Sequence, residues 1–336
     1  MRLFGSRSRV QPSATALATI ALCHEQLSEP HLLLLSRFCF PQNWRTGGGY
    51  EWDKVLGEPA ETAIQRFLSE GLLVPSAPRS KLEAFSVKDL KVFLKERQLP
   101  ASGNKEVLIE RLVRANDATL TAKLEQFDIV ECSPQARDST SKYLEQKRAE
   151  KQTALSESLE YLRNEDFASA CRAVAQYESR QVFPRGTGVN WSKSDADEPR
   201  RLKTLFDVQP KILADLLDND WKPLRIAAGM MLMWGTKTAS EWLPDDFVGV
   251  SRFDNDTAAR MLVFHSNFVA NMANYREMDV QTATISACND SCEACLALNG
   301  KSLPLDKVPE LPLYACTHAM GCRCLLLPDM RTPLTD

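Results

Sequence analysis

Six of the ten cysteines crowd into one C-terminal stretch, residues 285–324: Cys288, Cys292, Cys295, Cys316, Cys322 and Cys324. One of the four histidines, His318, lies among them. Cys292 and Cys295 form a C-x-x-C knuckle, whose two sulfurs can converge on one tetrahedral ion, and further donors follow after twenty residues. Thiolate and imidazole are preferred ligands of zinc, and binding keeps the thiols deprotonated. The spacing therefore predicts a zinc site. Four donors suffice. In an extended Cys322-Arg323-Cys324 run the two thiols point to opposite faces and only one can ligate, whereas Cys316 and His318 could share a face. The expected set is Cys292, Cys295, Cys316 and Cys322. His318 in place of Cys316, or Cys324 in place of Cys322, is the next choice, and Cys288 falls outside. The rival readings are a redox C-x-x-C, whose usual βαβ setting is missing, and a set of free thiols.

Such a site has no open position for water, so it folds the tail and does not catalyse. No catalytic residue is assigned, and whether the chain is an enzyme at all stays open. A metal-dependent nuclease is an alternative, with three ligands, a bound hydroxide and His265 or His318 as base. His265, however, lies on an apolar helix face and reads as core. Glu145–Lys147 meets only the end of a carboxylate-nuclease pattern. "RTGGGYEW" lacks the Lys-Ser/Thr ending of a P-loop, and four dispersed histidines support no Ser-His-Asp set.

A second stretch, "FSVKDLKVFLKERQLPASGNKEVLIERLVRAN", carries chemistry of another kind. Ser86 and Asp89 stand in capping-box positions. Val87, Leu90, Phe93 and Leu94 form one apolar stripe, and Leu108, Ile109, Leu112 and Val113 a second. Pro100, Ser102, Gly103 and Asn104 turn the chain between them, so the stripes can close face to face. From Lys81 to Arg114, eight cations face five acids, a local net of +3 in a chain whose overall charge is -3. Amides following Gly103 can also point at a phosphate, with Lys105 beside them.

This stretch resembles the SAP domain over residues 82–116. The likeness lies in the "SVKDLKVFLKERQLP" helix, the "SG" turn and the "KEVLIERL" helix. It departs at Gln98, where a glycine is usual, and at Asn104, often a lysine; asparagine tolerates left-handed geometry. The resemblance implies a small helical module that binds DNA. Lys88, Lys91, Lys95, Gly103, Lys105 and Arg111 are the expected contacts, to a duplex and without sequence preference. A solvated hairpin that binds protein is the bland alternative.

The cysteine tail, residues 285–328, resembles the C-terminal segment of phage head-morphogenesis proteins of the Mu F type, through "CEACLALNGKSLPLDKVPELP" and "HAMGCRC". That resemblance implies capsid assembly as a further alternative. His318 is one residue further from Cys322 than is usual there, and Cys316 is an extra donor.

The elements that must position these residues are mostly helical. At 336 residues, two or three domains are expected, and 44% apolar with 25% charged residues is ordinary for a globular chain. No apolar run approaches the ~20 residues a spanning helix needs, so no membrane partner is expected. Residues 14–40 read as helical, "NWRTGGGYEW" as a loop, and "EPAETAIQRFLSEG" as a helix ended by Gly71. Its exit into "LLV" is similar to the end of a winged helix. Leu155, Leu159, Leu162, Phe167, Ala170, Cys171 and Val174 suit two helices packed around "RNED", similar to one tetratricopeptide-like hairpin. Residues 256–278 read as a long helix, and "VQTATISAC" as a strand feeding the cysteines. Cys23, Cys39 and Cys171 read as small core residues.

The expectation is thus a mainly α, multi-domain chain. An N-terminal helical region (1–80) leads to a SAP-like hairpin (81–117), a helical middle able to meet a protein partner (118–180) and a linker (181–203). A C-terminal helical domain (204–336) ends in a zinc knuckle with short strands at 285–328. The function expected is DNA binding that places the zinc-stabilised domain on DNA, in the cytoplasm.

Overall fold

The computed structural model describes residues 27–46, 50–186, 188–189 and 197–329. The chain is mainly helical with two small antiparallel sheets, and it divides into two units, Met1–Ala149 and Glu150–Asp336. No helix among the described residues is long and apolar enough to cross a membrane.

The first unit is built on α1 (Glu29–Ser36), β1 (Gln42–Asn43), α2 (Tyr50–Leu56), α3 (Ala60–Ser69), β2 (Leu73–Pro75) and β3 (Ile129–Cys132). Ala63, Ile64 and Phe67 recur at helical spacing along α3 and bury against Leu34, Leu35 and Phe38. Gly71, at φ +73°, supplies the left-handed residue that ends α3. The strand order is β1-β3-β2, with Leu73 opposite Cys132 and Asn43 opposite Ile129. β2 and β3 are therefore sheet neighbours although a whole subdomain lies between them in sequence. That insert is α4 (Pro78–Glu83), α5 (Val87–Glu96), α6 (Lys105–Ala115) and α7 (Ala118–Glu125). It has a core of its own, with Leu82, Leu90, Leu94, Leu108, Leu112, Leu120 and Leu124 at its centre.

α8 (Pro134–Arg163) runs across the division between the units. The second unit continues with α9 (Phe167–Ser179), α10 (Asp197–Asp207), α11 (Trp221–Trp234) and α12 (Asn255–Glu277). Glu165, at φ +57°, and the Asp166 cap turn α8 into α9, where the sequence places its helical pair. The C-terminal sheet has the order β5-β4-β6, from β4 (Thr282–Ser286), β5 (Ser302–Pro304) and β6 (Leu325–Pro328). α13 (Glu293–Leu296) is a single turn. The core is continuous from Leu162, Cys171 and Val174 through Met230, Trp234 and Leu262 to Ile285, Cys295, Cys316, Cys322 and Cys324. His265 is buried on α12, and its Nδ1–H donates to Leu311 O (2.8 Å), consistent with a core role.

Two local expectations need correction. The "NWRTGGGYEW" loop gives way to helix at Tyr50, because Trp52 and Val55 have an apolar core to join. The Gly/Pro-rich stretch after residue 180 is not slack throughout. Arg185 donates to the buried Glu178 carboxylate (2.5 Å) and stacks over Trp234, and helix resumes at Asp197. Cys171 is buried and Cys39 half-buried, while Cys23 and residues 14–26 lie outside the described residues.

Candidate nucleic-acid interface and thiol cluster

α5 begins where its capping box dictates. The Asp89 N–H donates to Ser86 Oγ, and the Ser86 N–H and hydroxyl donate back to the Asp89 carboxylate (3.2 and 2.6 Å). The Ser86 hydroxyl, then its N–H, hold that carboxyl below its ordinary value. α6 is capped by Asn104, whose side chain accepts from Val107 N–H (3.0 Å) at φ -75°. The left-handed positions of the hairpin lie elsewhere. Gly103 sits at φ +121°, where an added Cβ would come within 2.9 Å of Val107 Cγ1. Gln98, in the place where a glycine is usual, adopts φ +56°.

The cations divide into two groups. Lys81 Nζ donates to Leu124 O (3.0 Å), Lys105 Nζ to Glu83 O (2.7 Å), and Arg97 Nε to Asp117 (2.5 Å). Arg111 donates to Pro100 O and to Ser102 O (3.0 Å). These four fasten the hairpin to itself. Arg114 reaches Glu110 at 3.4 Å. The side chains of Lys88, Lys91 and Lys95 make no hydrogen bond or ion pair among the described residues. They repeat at i, i+3 and i+7, which aligns them along one face of α5. Of the six residues expected to meet DNA, three are thus free cations on one helix. Gly103 shapes the turn, and Lys105 and Arg111 spend their donors on the hairpin's own carbonyls.

At the other end of the chain, Cys292 caps α13 and Cys295 lies on it, with the Cys295 N–H donating to Cys292 O (3.0 Å). This single turn sets both thiols on one side. The sulfurs of Cys292, Cys295 and Cys316 lie within 4.8 Å of one another, as do those of Cys295, Cys322 and Cys324. Cys292 and Cys316 are 3.6 Å apart, and Cys295 and Cys322 are 3.8 Å apart. A tetrahedral ion with bonds of about 2.3 Å has sulfur–sulfur edges of about 3.8 Å, so these edges suit a metal ion.

Both thiols of the C-R-C run face the cluster. The alternation argument fails there because residues 321–324 are not a strand, and Gly321, at φ +73°, turns the chain onto Met261. Among the described residues the donor groups contain neither His318 nor Cys288. His318 Nδ1 accepts from Met320 N–H (3.1 Å), and Nε2 lies 3.3 Å from the Arg323 guanidinium, which donates to Asp290 (2.7 Å). A hydrogen bond from Cys324 lowers the Cys322 thiol to about 5, against its burial. Burial pushes Cys292 up, but backbone N–H groups at Thr317 and Cys295 outweigh it and bring that thiol to about 6. Burial raises the Cys295 and Cys316 thiols, and the Cys322 thiol and burial raise Cys324, so lowered and raised thiols stand side by side in the cluster. The sequence did not disclose that the insert is fixed at both ends by β2 and β3. The one local hint was the "LLV" strand before it.

With this geometry in view, the pattern of the SAP domain family matches residues 81–116, so a SAP domain is present there. The match covers α5, α6 and the end of α4. No curated protein matches the chain.

Proposed function

We propose that this protein binds duplex DNA through its SAP domain and thereby places a zinc-stabilised C-terminal unit on DNA. The observation that supports this reading most is the row Lys88, Lys91 and Lys95. It is a line of unpaired ammonium groups in a hairpin whose other cations are largely engaged internally. Three aligned cations at helical spacing suit successive phosphates, and such contacts hold a protein on a duplex without reading its sequence. The SAP match supports nucleic acid as the partner over a protein.

The thiol cluster is read as a structural zinc centre. Cys292, Cys295, Cys316 and Cys322 are the proposed ligands, with Cys324 the donor nearest to replacing one of them. Zinc suits an all-sulfur set, and a closed tetrahedral centre stabilises the fold without chemistry. The test is a titration of the full chain with a random-sequence duplex at several salt concentrations, with a parallel assay for cleaved product. Affinity that falls with salt, without product, is expected. Binding that ignores salt refutes the phosphate grip, and product that vanishes in Cys292→Ser makes the metal centre catalytic.

A further inference from the structure

Two helices joined by a short turn precede the SAP domain in the first unit. α2 and α3 are joined by Gly57, Glu58 and Pro59, with Gly57 at φ +72°. Two helices joined by a short turn containing glycine form the arrangement whose second helix can enter a major groove. The turn is firmly held. The Asp53 carboxylate accepts from the Ala60 N–H (2.7 Å), and Glu58 accepts from Arg66 (2.7 Å) while lying 2.8 Å from His31 Nε2.

α3 buries Ala60, Ala63, Ile64 and Phe67 and leaves Glu61, Thr62, Gln65 and Ser69 exposed. Thr62, Gln65 and Ser69 repeat at i, i+3 and i+7, so they form one hydroxyl-and-amide stripe, in which the Ser69 hydroxyl donates to Arg66 O (2.8 Å) and offers its lone pairs as an acceptor. These are groups that read base edges in the major groove. Glutamine pairs with adenine in bidentate fashion, serine and threonine can donate or accept, and glutamate accepts from cytosine.

Such a stripe needs help to hold DNA. Residues 58–70 carry Glu58, Glu61 and Glu70 against the single cation Arg66, so α3 supplies no net attraction for phosphate. The SAP hairpin has the opposite character, with charge but no code. The two are built into one frame. The chain leaves α3, passes through β2, forms the hairpin and returns through β3 onto β2, with Pro75 opposite Val130 and Ser76 N–H donating to Ile129 O (3.1 Å). The SAP domain thus takes the place of the turn that would otherwise join two neighbouring strands.

We infer that α3 is a base-reading helix and that the SAP domain is the phosphate grip of the same duplex-binding unit. The partner is then duplex DNA of a preferred sequence, read by Thr62, Gln65 and Ser69. This rests on the SAP domain binding DNA. The test is selection from a randomised duplex pool with the full chain, T62A/Q65A, Q65E and K88Q/K91Q/K95Q, with a thermal melt of each variant. The wild type enriches one short site, bound about tenfold or more tightly than its scrambled counterpart. In T62A/Q65A, melting as the wild type does, that ratio falls to about one. Q65E shifts the preferred base at one position. An unenriched wild-type pool, or a site that T62A/Q65A and Q65E both retain, overturns the inference. Undiminished low-salt binding by the triple lysine variant overturns the SAP reading on which it rests.

Discussion

Replacing Lys88, Lys91 and Lys95 together by glutamine tests the division of labour among the SAP cations. Each cation that neutralises a phosphate contributes about -0.9 to the slope of log affinity against log salt, so three free lysines account for about -2.7. Between 50 and 200 mM salt, that part of the binding weakens roughly forty-fold. The triple variant should lose this share and retain only the shallow dependence left by cations such as Arg114. Lys105→Gln and Arg111→Gln should behave differently. Their donors hold Glu83 O, Pro100 O and Ser102 O, so each should lower the melting temperature more than it flattens the slope. Fluorescence anisotropy with a labelled duplex at four or more salt concentrations, with a melt of each variant, measures both effects. An unchanged slope in the triple variant would refute the reasoning. A Lys105→Gln slope loss larger than that of any α5 lysine, without a change in stability, would refute it equally.

Further expectations follow from the same structure. Elemental analysis should find one zinc per chain, lost in Cys295→Ser with a drop in the melting temperature of the second unit; a wild-type content well below one ion rejects the centre. Asp256 is partly buried, which raises its carboxyl, but bonds from Ser240 Oγ (2.6 Å), Ala239 N–H (2.7 Å) and Ser240 N–H (3.0 Å) outweigh this and hold it below the ordinary value. A depressed folded value means the stabilisation is present above the unfolded value of about 3.9 and is lost as pH falls through the folded one. Asp256→Asn should therefore cost about 1.5–3 kcal/mol at pH 7 by denaturant titration, and the difference from wild type should close in acid. Gln98→Gly should raise stability by about 0.5–1 kcal/mol, since it relieves a left-handed side-chain residue at some cost in chain entropy. A melting temperature unchanged or lowered would contradict that assignment.

Much of the SAP hairpin was legible in the sequence because the terms that specify it are local. A capping box spans four residues, an apolar stripe repeats within a helix, and a C-x-x-C pair sits on one turn. The same holds for α12 and for the strand that feeds the cysteines. Local signals failed where several solutions were equally acceptable to the chain nearby. The glycine run before Tyr50 gave no warning of α2, whose apolar residues matter only once α1 and α3 offer them a core. Periodicity set Cys322 and Cys324 on opposite faces, but it applies only to regular strand, and Gly321 takes the chain out of it.

The sequence by itself determined where charge and sulfur accumulate and which short helices present them. Only the tertiary structure decided which lysines remain free, which thiols gather, and that the SAP domain is an insert between the paired strands β2 and β3. The physical reason is range. Caps and stripes are settled among residues a few positions apart. The partners of Lys105 and Arg111, and the return of β3 onto β2, are fixed by contacts between residues distant in the chain, which no local pattern encodes.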